Sequence, residues 1–164
     1  MKADSRQPAA DSSEQPGPLT ITPLKAQAWV DGGSRGNPGE AGCGIVLDLG
    51  RTREHHHLFI GRATNNVAEY AALLAALERA RAAGVTEITV HSDSELLVKQ
   101  MTGAYRVKQP HLQRLWLAAQ QLARSFGRFS ARHVPRAANA AADGLANVAM
   151  DERSSTLPRP KALG

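Results

Sequence analysis

The chain has 164 residues, enough for one domain with its own core, and a single cysteine without companion ligands, which excludes a disulfide scaffold and a zinc module. Lys and Arg number 20 against 15 Asp and Glu, a formal charge of +5 that favours a polyanionic partner without identifying one. No apolar run reaches the ~20 residues of a membrane span and the opening stretch lacks the apolar centre of a secretory signal, so a soluble, cytoplasmic protein is expected.

Residues 1–23 are rich in Ser, Pro, Gln and Ala, show no apolar period, and are expected to form a flexible tail. Leu24 to Asp31 reads as a strand, and Asn37-Pro38-Gly39 as a turn, because proline presets φ and glycine accepts positive φ. Ala41 to Leu49 and His55 to Ile60 continue as two strands of a meander. Asn66 to Ala83 places Leu73, Leu77 and Ala80 at helical spacing and stops at Gly84, which predicts a long helix. A strand over Val85 to Ser92 follows, then helices over Ser94 to Met101 and His111 to Phe126, a strand over Phe129 to Val134 and a helix over Ala138 to Met150. Residues 151–164, with Ser-Ser-Thr and two prolines, read as a second tail, leaving 24–150 as one globular domain. The order of elements belongs to the α/β class, a mixed sheet with helices packed on its faces.

Four acidic residues fall at the edges of these elements. Asp31 ends the first strand and opens a Gly-rich run without a Walker lysine; Asp-Gly is also a common way to begin a turn. Glu69 lies in the first turn of the long helix, on the face of Leu73, Ala76 and Ala80, although Asn66-x-x-Glu69 would equally serve as a capping box. Asp93 stands where the fourth strand gives way to a helix, with Ser92-x-x-Glu95 as the capping alternative, and Asp143 sits in the last helix, where a solvated charge is the plain alternative. Together they offer what a pair of hard divalent cations needs for phosphodiester hydrolysis, namely several carboxylates at strand ends and helix starts.

The chain resembles the type 1 ribonucleases H, in particular bacterial and archaeal members without a basic protrusion. The residues that carry the likeness are Asp31-Gly32-Gly33-Ser34-Arg35-Gly36-Asn37-Pro38-Gly39, Thr64-Asn65-Asn66-Val67-Ala68-Glu69-Tyr70, Ser92-Asp93-Ser94, and His133-Val134-Pro135-Arg136 followed by Asn139 and Ala142-Asp143-Gly144-Leu145-Ala146-Asn147. The resemblance implies a five-stranded mixed sheet of order 3-2-1-4-5 with helices on both faces. It implies hydrolysis of the RNA strand of RNA–DNA hybrids, leaving 5′-phosphate and 3′-hydroxyl ends. Asp31, Glu69, Asp93 and Asp143 would hold two Mg²⁺ ions, for which Mn²⁺ can substitute, with Asp31 bridging both. Gly32, Gly33, Ser34 and Asn37 would follow the RNA 2′-hydroxyls, Thr64 a DNA phosphate, and Asn65 and Asn66 the bases in the minor groove. Such contacts read shape and 2′-hydroxyls and not sequence. A monomer needing no protein partner and no membrane is expected.

Two departures stand out. Only Ala137 and Ala138 separate Arg136 from Asn139, so the loop that carries an assisting histidine in many bacterial members is missing, and His133 reads as part of the final strand. Residues 103–111 offer only Arg106 and Lys108 in place of a basic handle. His55-His56-His57 cannot converge on one ion from a strand, because alternate residues face opposite sides. Trp29 and Trp116 read as structural. Two other functions compete: a non-catalytic nucleic-acid-binding module on the same fold, and a nuclease of broader range that includes duplex RNA.

Overall fold

The structure, a computed structural model, describes residues 23–164; the tail expected over 1–23 lies, but for its last residue, outside the described residues. Three antiparallel strands open it: β1 (Lys25–Gly36), β2 (Gly39–Asp48) and β3 (Arg53–Ala63). Helix α1 (Asn65–Ala82) leads to β4 (Glu87–Ser92), α2 (Glu95–Met101) and α3 (Pro110–Arg124). Strand β5 (Arg128–His133), a 3₁₀ turn over Arg136–Asn139 and α4 (Ala140–Glu152) complete the body. The sheet has the order β3-β2-β1-β4-β5, antiparallel among its first three strands and parallel from β1 through β4 to β5. This is the order that the resemblance implies.

Strand alternation sends β1 side chains to two different layers. Ala26, Ala28 and Val30 are buried toward α1, whose Ala-rich face brings Ala68, Ala72, Leu73 and Ala76 down onto the sheet. Alanines allow this close approach, and the core that results continues through Leu112, Leu115 and Ala119 of α3. Residues of the other parity, Asp31 among them, face α4, which packs on β2, β3 and β1. Farther down that second layer Trp29 stacks on His91, with ring centroids 4.8 Å apart, and Arg53 lies over the indole. Trp116 is half-buried and donates from Nε1 to the Gln100 carbonyl at 3.0 Å. Both tryptophans are packed within the fold, as the sequence reading has them.

Element ends shift by one to three residues from the sequence reading, and two differences go further. Strand β1 runs on to Gly36, because its last residues keep pairing with β2 up to Gly36↔Gly39, so the Gly-rich run is the arm of a hairpin and not a loop. The segment after α4, read as a second tail, packs against the body. Thr156 donates its amide to the His57 carbonyl at 2.8 Å, Phe59 donates its amide to Ser155 Oγ at 2.9 Å, and Pro160 is fully buried. The polar composition that suggests a loose end here supplies hydroxyls to the unpaired edge of β3, a common need of edge strands. His56 and His57 take part, against Thr156 Oγ1 and Ser154 Oγ at 3.1 and 3.0 Å, while His55 is exposed; the three do not converge.

Candidate active site

The last registered pair of the β1–β4 ladder is Val30↔Ser92. Beyond it the two strands part, and the next side chains on the α4 side, Asp31 and then Asp93, stand at the mouth of the opening. Val30 keeps its carbonyl satisfied at this point through Asn139, whose Nδ2 donates to it at 2.9 Å. Asn139 is 1% exposed and directly precedes α4, so the same contact fixes the first turn of α4, with Asp143, against β1.

Two glycines bring the helices close enough. A Cβ on Gly32 would stand 2.2 Å from the Ala68 carbonyl oxygen, and one on Gly44, the cross-strand partner of Asp31, would stand 1.9 Å from that of Ala142. Only the absence of a side chain lets α1 and α4 lie against the hairpin at these positions. The Gly32 amide then donates to Glu69 Oε1 at 3.1 Å.

The capping alternatives for Glu69 and Asp93 do not hold. Thr64, not Asn66, caps α1, accepting from the Val67 amide at 3.2 Å, and Glu69 is turned to Gly32. Ser94, not Ser92, caps α2, accepting from the Leu97 amide, while Glu95 pairs with Lys99 at 3.1 Å. Asp93 is thereby left out of the cap.

One carboxylate oxygen each from Asp31, Glu69 and Asp93 lies within 4.8 Å of the other two. Asp143 lines the same groove beside Asp31 without joining that tight set. Burial, reinforced by the charges of Asp93 and Asp143, pushes the Asp31 carboxyl up to about 8. Glu69 is likewise raised to about 8 by burial and by Asp31 and Asp93, against the opposing pull of the Gly32 amide and Arg136. The cation close by is Arg136, its Nε 3.7 Å from Asp93 Oδ2 on a side chain that is 87% exposed. A set of oxygen donors held this close, with more negative charge than its surroundings balance, fits a hard divalent cation.

Gly32, Gly33, Ser34 and Asn65 line this groove of about 500 Å³ together with the carboxylates. The Ser34 amide donates to Asn65 Oδ1 at 2.8 Å, and the Asn65 amide donates to Asn37 Oδ1 at 3.0 Å, so hairpin and helix start form one unit. Thr64 is engaged by its cap, and Asn66 is exposed at the first turn of α1. His133 ends β5 and is exposed, and the short turn that follows it carries no further histidine. Arg35, Arg136, Asn147 and Met150 complete the wall without having been assigned a role from sequence. Their signal was faint, since Arg35, Arg136 and Asn147 belong to motifs whose other residues carry the recognisable chemistry, and Met150 lies outside every motif.

Comparison with known proteins agrees with this geometry. A family model described as "Reverse transcriptase-like" matches residues 30–149. The RNase H1 of the halophilic archaeon Halobacterium salinarum, a solved structure, is 47% identical and superposes with a TM-score of 0.75, over 78% of this chain and 98% of that one. The chain belongs to the type 1 ribonuclease H family. Within it, the LC11-RNase H1 solved in complex with an RNA/DNA hybrid is 38% identical, with a TM-score of 0.73 over 78% of this chain and 98% of that one. A Mycobacterium tuberculosis relative named as a bifunctional protein is 50% identical over 131 residues, which are 78% of this chain. The match spans 36% of that relative's length. No helix among the described residues of this ribonuclease H chain is long and apolar enough to cross a membrane.

Proposed function

We propose that the chain is a metal-dependent endonuclease that hydrolyses the RNA strand of RNA–DNA hybrids, leaving 5′-phosphate and 3′-hydroxyl ends. The observation that carries this reading is the convergence of Asp31, Glu69 and Asp93 within 4.8 Å, in a groove whose wall is the Gly-rich hairpin. A relative of known structure holds an RNA/DNA hybrid, which supports the substrate class.

Asp31, Glu69, Asp93 and Asp143 would hold two Mg²⁺ or Mn²⁺ ions. When bound, such a pair supplies an activated water and stabilises the leaving oxygen. The chain's own part is to hold the four carboxylates in place through Gly32, Gly44 and Asn139, and to keep Asp31 and Glu69 short of compensating charge. Ser34 and Asn37, tied to Asn65, present a preformed surface to the RNA 2′-hydroxyls, with Gly32 and Gly33 allowing backbone approach. Thr64 and Asn66 extend it toward the DNA strand. No residue of this set forms a covalent intermediate with the substrate. We place the enzyme in the cytoplasm and expect it to act as a monomer.

The test is a cleavage panel with labelled RNA–DNA hybrid, duplex RNA and duplex DNA, each with Mg²⁺, Mn²⁺ or a chelator. Metal-dependent cutting of RNA in the hybrid alone is the expected result. Binding without cutting would replace this reading with a silent binding module, and cutting of duplex RNA as well would widen the substrate range.

A further inference from the structure

Arg35 stands near the end of β1, on the wall of the carboxylate groove that Arg136 also lines. Its guanidinium is held from α4: one terminal nitrogen donates to Asp151 and the other to Asn147 Oδ1 at 3.0 Å. Asn147 is itself anchored, its Nδ2 donating to the Asp143 carbonyl at 3.1 Å. A second ion pair, from Arg153 just past α4 to Glu40 of β2 at 2.6 Å, also ties the hairpin to the end of α4. A guanidinium has five N–H donors, and these two contacts engage only part of them. The side chain remains 46% exposed. Fixing a planar fork in this way removes much of the side-chain entropy that an arginine loses on gripping an anion.

The charges around the groove explain why such a group is needed. Four carboxylates line it, and a polyanion approaching them is repelled except where cations flank its path. Among the described residues that line the groove, the cations are Arg35 and Arg136. The loop between α2 and α3 adds only Arg106 and Lys108.

We infer that Arg35 is a substrate-binding residue that grips a backbone phosphate of the nucleic-acid strand beside the one at the carboxylates, with Asn147 acting as its positioning residue. The inference rests on the hybrid-binding function proposed above. A purely structural reading, in which Arg35 serves only to clamp α4 to the hairpin, makes the opposite prediction for its partner. Losing Asp151 would then be as harmful as losing Arg35. In the binding reading, losing the Asp151 charge leaves the cation in place and removes a negative charge from the strand's path.

The experiment measures hybrid affinity by fluorescence anisotropy across a salt series, with Arg35→Ala and Asp151→Asn each placed in the full chain carrying Asp31→Asn, and kcat and KM in the chain without Asp31→Asn. Arg35→Ala is expected to weaken hybrid binding about tenfold near 0.1 M salt and to lower the slope of log affinity against log salt by about one. It should raise KM with kcat within about twofold. Asp151→Asn should bind hybrid at least as tightly as its parent. Parental affinity in Arg35→Ala, or parallel weakening by both variants, would overturn the inference. Absence of hybrid binding in the parent itself would instead overturn the proposed function.

Discussion

Two clusters of partly buried acid in this molecule are built in opposite ways. Near the start of β3, Glu54 receives Arg79 through two hydrogen bonds of 2.8 and 2.7 Å and His56 through one of 2.9 Å. The Arg79 guanidinium, with His56 assisting, holds the Glu54 carboxyl down at about 2. At the mouth of the β1–β4 opening, burial and mutual repulsion lift Asp31 and Glu69 to about 8. An acid whose work is structural is given its counter-charge by the fold, whereas these acids are left wanting one, which is the mark of a site that takes charge from outside.

Substitutions separate the two clusters. Asp31→Asn removes a charge but little volume, and is expected to reduce hybrid cleavage about a thousandfold or more, read by single-turnover kinetics, because it removes one of the oxygen donors proposed to hold the metal. The same change should raise the melting temperature of the metal-free protein, since it relieves repulsion. Asp31→Asn with undiminished turnover would remove Asp31 from the site. Gly44→Ala places a Cβ against the Ala142 carbonyl, so α4 must move and carry Asp143 with it. We expect loss of most activity together with about 1–3 kcal/mol of stability, measured by urea unfolding.

The pH dependence of the metal-free protein follows from the raised acids. Asp31 and Glu69, whose carboxyls ordinarily titrate at 3.8 and 4.5, are lifted to about 8 in the fold, so between those limits the folded chain binds more protons than the unfolded one. Their contribution therefore favours folding below about pH 4, is lost as pH rises toward 8, and levels off above. Divalent cation should raise the melting temperature more at pH 8 than at pH 5. An increment that does not grow with pH would separate the cation's effect from these carboxyls.

The smallest effect belongs to the paired acid. Glu54→Gln should cost about 1 kcal/mol, since the pair is partly exposed, and should leave hybrid cleavage unchanged. Because Glu54 is depressed from 4.5 to about 2, its stabilisation is present above about pH 4.5 and is lost as pH falls toward 2. Thermal unfolding of both proteins at pH 7 and pH 3 checks the sign, the gap between them narrowing at the lower pH.

Much of the fold was legible in the sequence because its signals are local. The 3.6-residue spacing of Leu73, Leu77 and Ala80 marks α1, and the alternation before Asp31 marks β1. The four acids were legible as a set, through their positions at element ends and the motifs around them, although each had a local alternative of its own. What decided between the readings was not local. Whether Glu69 caps its helix or turns to Gly32 depends on how close α1 comes to β1, which a missing Cβ permits. Asn139 reaches back to Val30 across 109 positions. Arg35 meets Asp151 across 116, and the Ser-Ser-Thr segment finds a strand edge about 97 residues away, contacts that no window of sequence displays.

The most direct test of the central claim is cleavage of an RNA–DNA hybrid, labelled on its RNA strand, by the unaltered chain in Mg²⁺ and in chelator, with the product ends identified. The account predicts internal cuts in the RNA only when Mg²⁺ is present, with 5′-phosphate and 3′-hydroxyl ends. Cleavage that persists in chelator, or an intact RNA strand in the presence of Mg²⁺ and bound hybrid, would contradict it.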